Sequence, residues 1–120
     1  MSIAISVDSV DASGSSVLVA GTLAFSGSYS TGGDTLNWTT AIEQIAGGGQ
    51  TIPSASQPLL VLIGSQAGGT DDYVPVQGTA LNNWLVKCIA AGGSEIAAGA
   101  YPTAIADDTV AFLALFPKLV

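Results

Sequence analysis

Two pairs of adjacent carboxylates, Asp71-Asp72 and Asp107-Asp108, a single thiol at Cys88, and two lysines, Lys87 and Lys118, are the groups in this sequence that could do chemistry. Histidine and arginine are absent. Two carboxylate pairs brought together could hold a hard cation or act as a glycosidase couple. Neighbouring residues on a strand point to opposite faces, however, so neither pair forms a site by itself, and solvated turn residues are the expectation. With one cysteine no intrachain disulfide can form, and Cys88 lies in the strand-like run Trp84 to Ile89. A nucleophilic thiol would want a histidine, so Cys88 is expected to be a buried structural residue. The lysines are isolated, which gives no support to a Schiff-base role. Gly32-Gly33-Asp34 is too sparse for a phosphate loop, which needs Gly-Lys-Ser/Thr opening a helix, and no lysine precedes Lys87. It also lacks the regularly spaced oxygen ligands and closing glutamate of an EF-hand calcium loop. Gly32 and Gly33 are therefore expected to supply positive φ, and Asp34 to cap the turn. No catalytic, cofactor or metal residue is predicted, and no metal-dependent or nucleophilic hydrolase activity is expected.

Aromatics are the remaining candidates, because large rings among small residues can anchor a partner or stack on a sugar. Core packing is the expectation for Trp38 and Trp84. Tyr29 and Tyr101, flanked by glycine, serine or alanine, are open to either intrachain packing or an interface. The candidate interface set is Tyr29, Gly32, Gly33, Asp34, Trp84 and Tyr101.

Charged residues make up 9 % of the 120 residues, against about 25 % in ordinary soluble domains, while apolar residues reach 48 % and mean hydropathy is +0.54. So little charge implies covered faces, as in a homo-oligomer or a lattice component; a small Ala/Gly-rich soluble monomer is the alternative. A net charge of −7 offers no cationic track for a phosphate backbone and no basic cluster for an anionic membrane. The longest aliphatic run, Leu59 to Ile63, is too short to span a bilayer. Met1 to Asp8 has no basic segment and alternates like a strand, so synthesis and assembly in a cytoplasm are expected.

The elements that must position these residues are short strands in a single domain covering residues 1–120. Ile3 to Val7 alternates as a first strand, followed by a turn-rich stretch from Asp8 to Ser15. Val17 to Phe25 has apolar residues on both faces and reads as a strand packed on both sides. Thr35 to Thr39 reads as a strand, with Leu36 and Trp38 on one side. Ala41 to Ala46 is either a helical turn or a short strand, ended by Gly47-Gly48-Gly49. Pro53 and Pro58 bracket a polar loop leading to Leu59–Ile63, read as a core strand. A turn at Gly68 to Asp71 leads to an edge strand, since Pro75 cannot donate to a ladder. Gly78 to Asn83 is a connection, Trp84 to Ala90 a strand, Ser94 to Pro102 a loop, and Thr109 to Phe116 a closing strand with Val110, Phe112, Ala114 and Phe116 on one face. About seven short strands with glycine-rich loops predict an all-β fold, a compact β-sandwich or barrel.

Two blocks carry a family resemblance. Val19 to Leu36, with Gly21-Thr22-Leu23-Ala24-Phe25 leading into Ser26-Gly27-Ser28-Tyr29-Ser30-Thr31-Gly32-Gly33-Asp34-Thr35-Leu36, resembles small structural proteins of tailed bacteriophages. Glu95-Ile96-Ala97-Ala98-Gly99-Ala100-Tyr101-Pro102-Thr103-Ala104-Ile105, followed by a hydrophobic strand, is similar to the ending of the same proteins. The resemblance implies a virion component of the head, a capsid decoration or cement protein on the outer surface. Its implied partners are the major capsid protein and further copies of itself, as a homotrimer or similar oligomer, and it brings no catalytic or cofactor residue. A tail- or fibre-associated module binding a host glycan is the alternative. The chain departs from the family pattern at Asn82-Asn83-Trp84, where relatives carry a glycine- and lysine-containing turn.

Overall fold

The computed structural model describes residues 3–13, 16–45, 57–65 and 71–117. They form nine strands: β1 (Ile3–Ser13), β2 (Ser16–Phe25), β3 (Ser28–Tyr29), β4 (Asp34–Leu36), β5 (Leu60–Ser65), β6 (Asp72–Val76), β7 (Trp84–Ile89), β8 (Gly99–Ala100) and β9 (Val110–Pro117). Two helices, α1 (Trp38–Gln44) and α2 (Thr103–Ala106), accompany them. The fold is all-β and sandwich-like. One antiparallel sheet has the order β1-β2-β9-β5 and a second the order β4-β7-β6, with β3-β8 as a two-stranded ribbon. The expectation of about seven strands falls short by the β3-β8 ribbon, whose members are two residues each.

The core lies between the two larger sheets. Period-two burial turns Val17, Val19, Leu23 and Phe25 of β2 and Val110, Phe112, Ala114 and Phe116 of β9 inward, where they meet Trp84, Val86 and Cys88 of β7. Trp38 is fully buried at the centre of this layer. Its ring stands edge-on to Phe112 at 5.4 Å, Phe116 at 5.8 Å and Trp84 at 6.2 Å between centroids. Such pairs add to the gain from removing their large apolar surface from water. The Trp38 indole N–H is buried with no hydrogen-bond partner among the described residues.

Several sequence expectations are corrected. β1 does not stop at Val7. It continues to Ser13 across a bulge between Val7 and Ser9, because the extra residue lets the ladder with β2 resume at Ser9 opposite Ala20. Gly21, opposite Val7, is required there: a Cβ would collide with the Ser6 carbonyl and lie 2.9 Å from the Phe112 ring. Thr35 to Thr39 is not one strand. β4 ends at Leu36, and Asn37 caps α1, its Oδ1 accepting from the Thr39 N–H at 3.0 Å. Leu36 and Trp38 still share the core, which is what the strand reading required of them. β2 is not packed on both sides, since Leu18 and Ala24 on its second face are exposed in this chain. Leu59–Ile63 is not a core strand either: β5 is the last strand of its sheet and buries Val61 alone. The Ser94–Pro102 loop contains β8 and a bridge from Glu95 to Ile89. The readings of β6 as an edge strand and of β9 as one-faced agree with the fold. The Gly47–Gly49, Pro53 and Gly68–Thr70 turns lie outside the described residues, as does Lys118.

Candidate functional site

One end of the sandwich gathers most of the residues that the sequence singled out. The glycine-rich crossing between β2 and β4 turns at Ser30–Gly33, where the Gly33 N–H donates to the Ser30 carbonyl at 3.0 Å. Gly32 and Gly33 both have positive φ, +95° and +127°, as expected of this turn. Asp34 uses both oxygens. Oδ1 accepts from the Thr35 N–H at 2.9 Å, the local capping foreseen, and Oδ2 accepts from the Tyr101 hydroxyl at 2.6 Å. The Tyr29 hydroxyl donates to Glu95 Oε2 at 2.6 Å and accepts from the buried Cys88 N–H at 3.2 Å. The same Glu95 oxygen accepts from the Gly32 N–H at 2.6 Å, so the turn, β3 and the segment before β8 are tied at one carboxylate.

A third tie of the same kind closes the flank. The Tyr73 hydroxyl donates to Asp108 Oδ2 at 2.7 Å, and the Ser65 hydroxyl to Asp108 Oδ1 at 2.7 Å. Asp108 is thus not a freely solvated turn residue, which corrects the expectation for one member of the 107–108 pair; Asp107 and Asp72 are exposed. The rings of Tyr73 and Tyr101 both lie on Phe25, at 5.2 Å and 5.5 Å, and Tyr29 meets Tyr101 edge-on at 5.8 Å.

The two candidate tyrosines are therefore used inside the chain: Tyr29 is 2 % exposed and Tyr101 9 %. Trp84 is also buried, donating from its indole N–H to Gln57 Oε1 at 2.8 Å. Gly33 is buried against β7, Asp34 is half-buried and Gly32 is exposed. Of the six candidate interface residues, Gly32 is the one that is exposed, and its N–H is already bonded to Glu95. Glu95 and Asp108, which complete the ties, were not singled out for these roles. Their tyrosines stand 66 and 35 residues away in sequence, and no local pattern could have linked them.

These contacts fix the electrostatics. Burial, then the bond to Glu95, pushes the Tyr29 hydroxyl up to about 12. Burial followed by the carboxylate bond raises Tyr73 and Tyr101 further in the same direction. Glu95 is held below the ordinary glutamate range by the Tyr29 hydroxyl and the Gly32 N–H. Burial, with Asp34 adding to it, pushes the Cys88 thiol up to about 12, the opposite of an activated nucleophile. Among the described residues no three His, Cys, Asp or Glu side chains are placed to hold a metal ion.

The sign of the pH dependence follows. A tyrosine whose folded pKa is raised stabilises the fold below its unfolded value of about 10, and that contribution is lost as pH rises through the folded value. Glu95, with its folded pKa lowered, stabilises above the unfolded value of about 4.3 and loses that contribution as pH falls through the folded one. Denaturant midpoints are expected to fall above about pH 8.5, first through Cys88 and from about pH 10 through the tyrosines as well, with a slope of up to four protons. On the acid side, Glu95→Gln is expected to flatten the decline below about pH 4.3. Midpoints that stay level into strong alkali, or an acid limb unchanged in Glu95→Gln, would show that the tyrosine ties do not hold the fold together.

The second feature of note is the outer face of the β1-β2-β9-β5 sheet. Strands β2, β9 and β5 contain no ionisable residue. Register places Leu18, Leu115 and Leu60 in one row, Ala20, Leu113 and Leu62 in the next, and Thr22, Ala111 and Gly64 in a third. Leu60 is 54 % exposed, Leu62 55 % and Leu113 38 %. The matching face of the other sheet differs, because Lys87 sits there opposite Val74, and Asp72 opposite Ile89. No helix among the described residues is long and apolar enough to cross a membrane. No protein-family model matches the chain, and no curated protein or solved structure matches it.

Proposed function

We propose that this chain is a non-enzymatic structural protein of a tailed-bacteriophage particle, a capsid decoration protein held on the outer surface of the head by the major capsid protein and by copies of itself. The observation that carries the reading is the outer face of β2, β9 and β5 in the four-stranded sheet, which bears no charge. Leucines exposed side by side on three adjacent strands are unusual in a protein that works alone in water, and typical of one that works in an assembly. Burying such a face as the lattice forms would stabilise the assembled shell over its parts, by linkage. The net charge of −7 favours the exterior over the polyanionic interior. The two blocks that resemble phage structural proteins form the tyrosine–carboxylate end, a rigid scaffold with no nucleophile, acid–base pair or metal cluster among the described residues. A glycan-binding tail module would need exposed aromatics, and Tyr29, Trp38, Tyr73, Trp84 and Tyr101 are all buried.

The test is quantitative mass spectrometry of purified particles, with antibody labelling of intact filled heads. A copy number comparable to that of the major shell protein, labelling without breaking the shell, and retention through a salt series are expected. A handful of copies per particle, or complete protection from antibody, would overturn the reading.

A further inference from the structure

We infer that the outer face of the β1-β2-β9-β5 sheet is a self-association surface, on which a second copy of this chain packs sheet to sheet about a twofold axis. The inference takes from the reading above only that the chain works assembled, and it does not depend on a virus particle. Three observations select a second copy as the occupant. The first is charge. A chain of net charge −7 repels its own copy, so a self-contact must lie where neither copy brings charge, and β2, β9 and β5 have none. β1 carries Asp8 at its bulge and Asp11 opposite Leu18, the latter at the corner diagonal to Gly64, so β1 is left at the rim.

The second observation is relief. Leu62 pairs with Leu113, and one step along the same strands Gly64 pairs with Ala111. Two large side chains thus stand as a ridge beside two small ones, which floor a shallow hollow of about 470 Å³. A Cβ placed on Gly64 would meet nothing within 4 Å. Ridge and hollow on one surface make it complementary to itself, the requirement of an isologous contact: the ridge of each copy enters the hollow of the other. The third is area. The three uncharged strands, about 4.8 Å apart and up to eight residues long at about 3.4 Å each, span roughly 14 by 27 Å, or about 400 Å² per copy and about 800 Å² for the pair. That lies at the weak, transient end of the range and implies a reversible dimer that forms at high concentration.

Sedimentation equilibrium of the full chain, from about 1 µM to about 1 mM, covers the range expected of such a contact. A monomer–dimer equilibrium that tightens as salt rises is expected, because salt screens the repulsion between the copies. Gly64→Leu raises a large side chain from the floor of the hollow, where its Cβ meets no intrachain atom, and should weaken association tenfold or more with no loss of melting temperature. Val74→Lys, on the other sheet, should leave it unchanged. A chain that stays monomeric throughout, or a Gly64→Leu protein that associates as the parent does, overturns the inference. A dimer from a chain absent from particles would overturn the phage reading alone, and a virion protein that is monomeric in solution would overturn this one alone.

Discussion

Trp38→Ala is expected to cost about 3–5 kcal/mol, the range for removing a fully buried large aromatic, and to lower the melting temperature by roughly 10–20 °C. The indole is 0 % exposed and touches Phe112, Phe116 and Trp84, so its loss opens a cavity facing both sheets at once. Trp38→Phe should cost less than half as much. It keeps an aromatic ring against Phe112 and removes an indole N–H that is buried without a partner among the described residues, so part of the lost packing is offset. Equilibrium denaturation of both variants checks the pair. Equal losses would mean that the indole N–H has a partner after all, and a loss below about 1 kcal/mol for alanine would mean that Trp38 is not the centre of the core.

Gly33→Val is expected to cost about 3 kcal/mol or more, while Gly32→Ala costs about 1 kcal/mol. Both glycines have positive φ, but their surroundings differ. A Cβ at Gly33 would lie 2.9 Å from the Leu85 Cβ and 3.2 Å from the Val86 carbonyl oxygen, whereas one at Gly32 meets nothing within 4 Å. At Gly33 the backbone of β7 cannot yield without breaking the pairing of Asp34 with Val86, which positions the carboxylate for Tyr101. At Gly32 only the dihedral is strained. Thermal melts of the two variants should separate clearly. Similar losses would place the strain in the turn alone and remove the role assigned to the close approach of β7.

Much of this architecture was legible in the sequence, because period-two patterning is a local signal. The inward rows of β2 and β9, the edge position of β6 and the positive φ of Gly32 and Gly33 all follow from residues within a few positions of one another. Other features depended on competition between local rules. Asn37 could continue a strand or cap a helix, and the cap won because its side chain reaches the Thr39 N–H and the helix delivers Trp38 to the core. The run Leu59–Ile63 looked buried because apolar content cannot distinguish a strand inside a chain from one at an open face. The tyrosine–carboxylate ties were beyond local reading altogether, since each joins residues 35 to 67 apart.

The order in which the strands are made has a consequence for how the molecule is born. β9, the last of the described strands to be synthesised, sits in the interior of its sheet, between β2 and β5, and among the described strands β5 pairs with β9 alone. While the ribosome is still producing the middle of the chain, β1 and β2 can close as a hairpin, but β5 has no ladder to join and the core has no second wall. Sheet closure waits for a segment about 90 residues downstream of its first neighbour, a long loop to close before any non-local contact rewards it. Nascent chains are expected to stay open and protease-sensitive until β9 has cleared the exit tunnel, then to fold in one late, cooperative step.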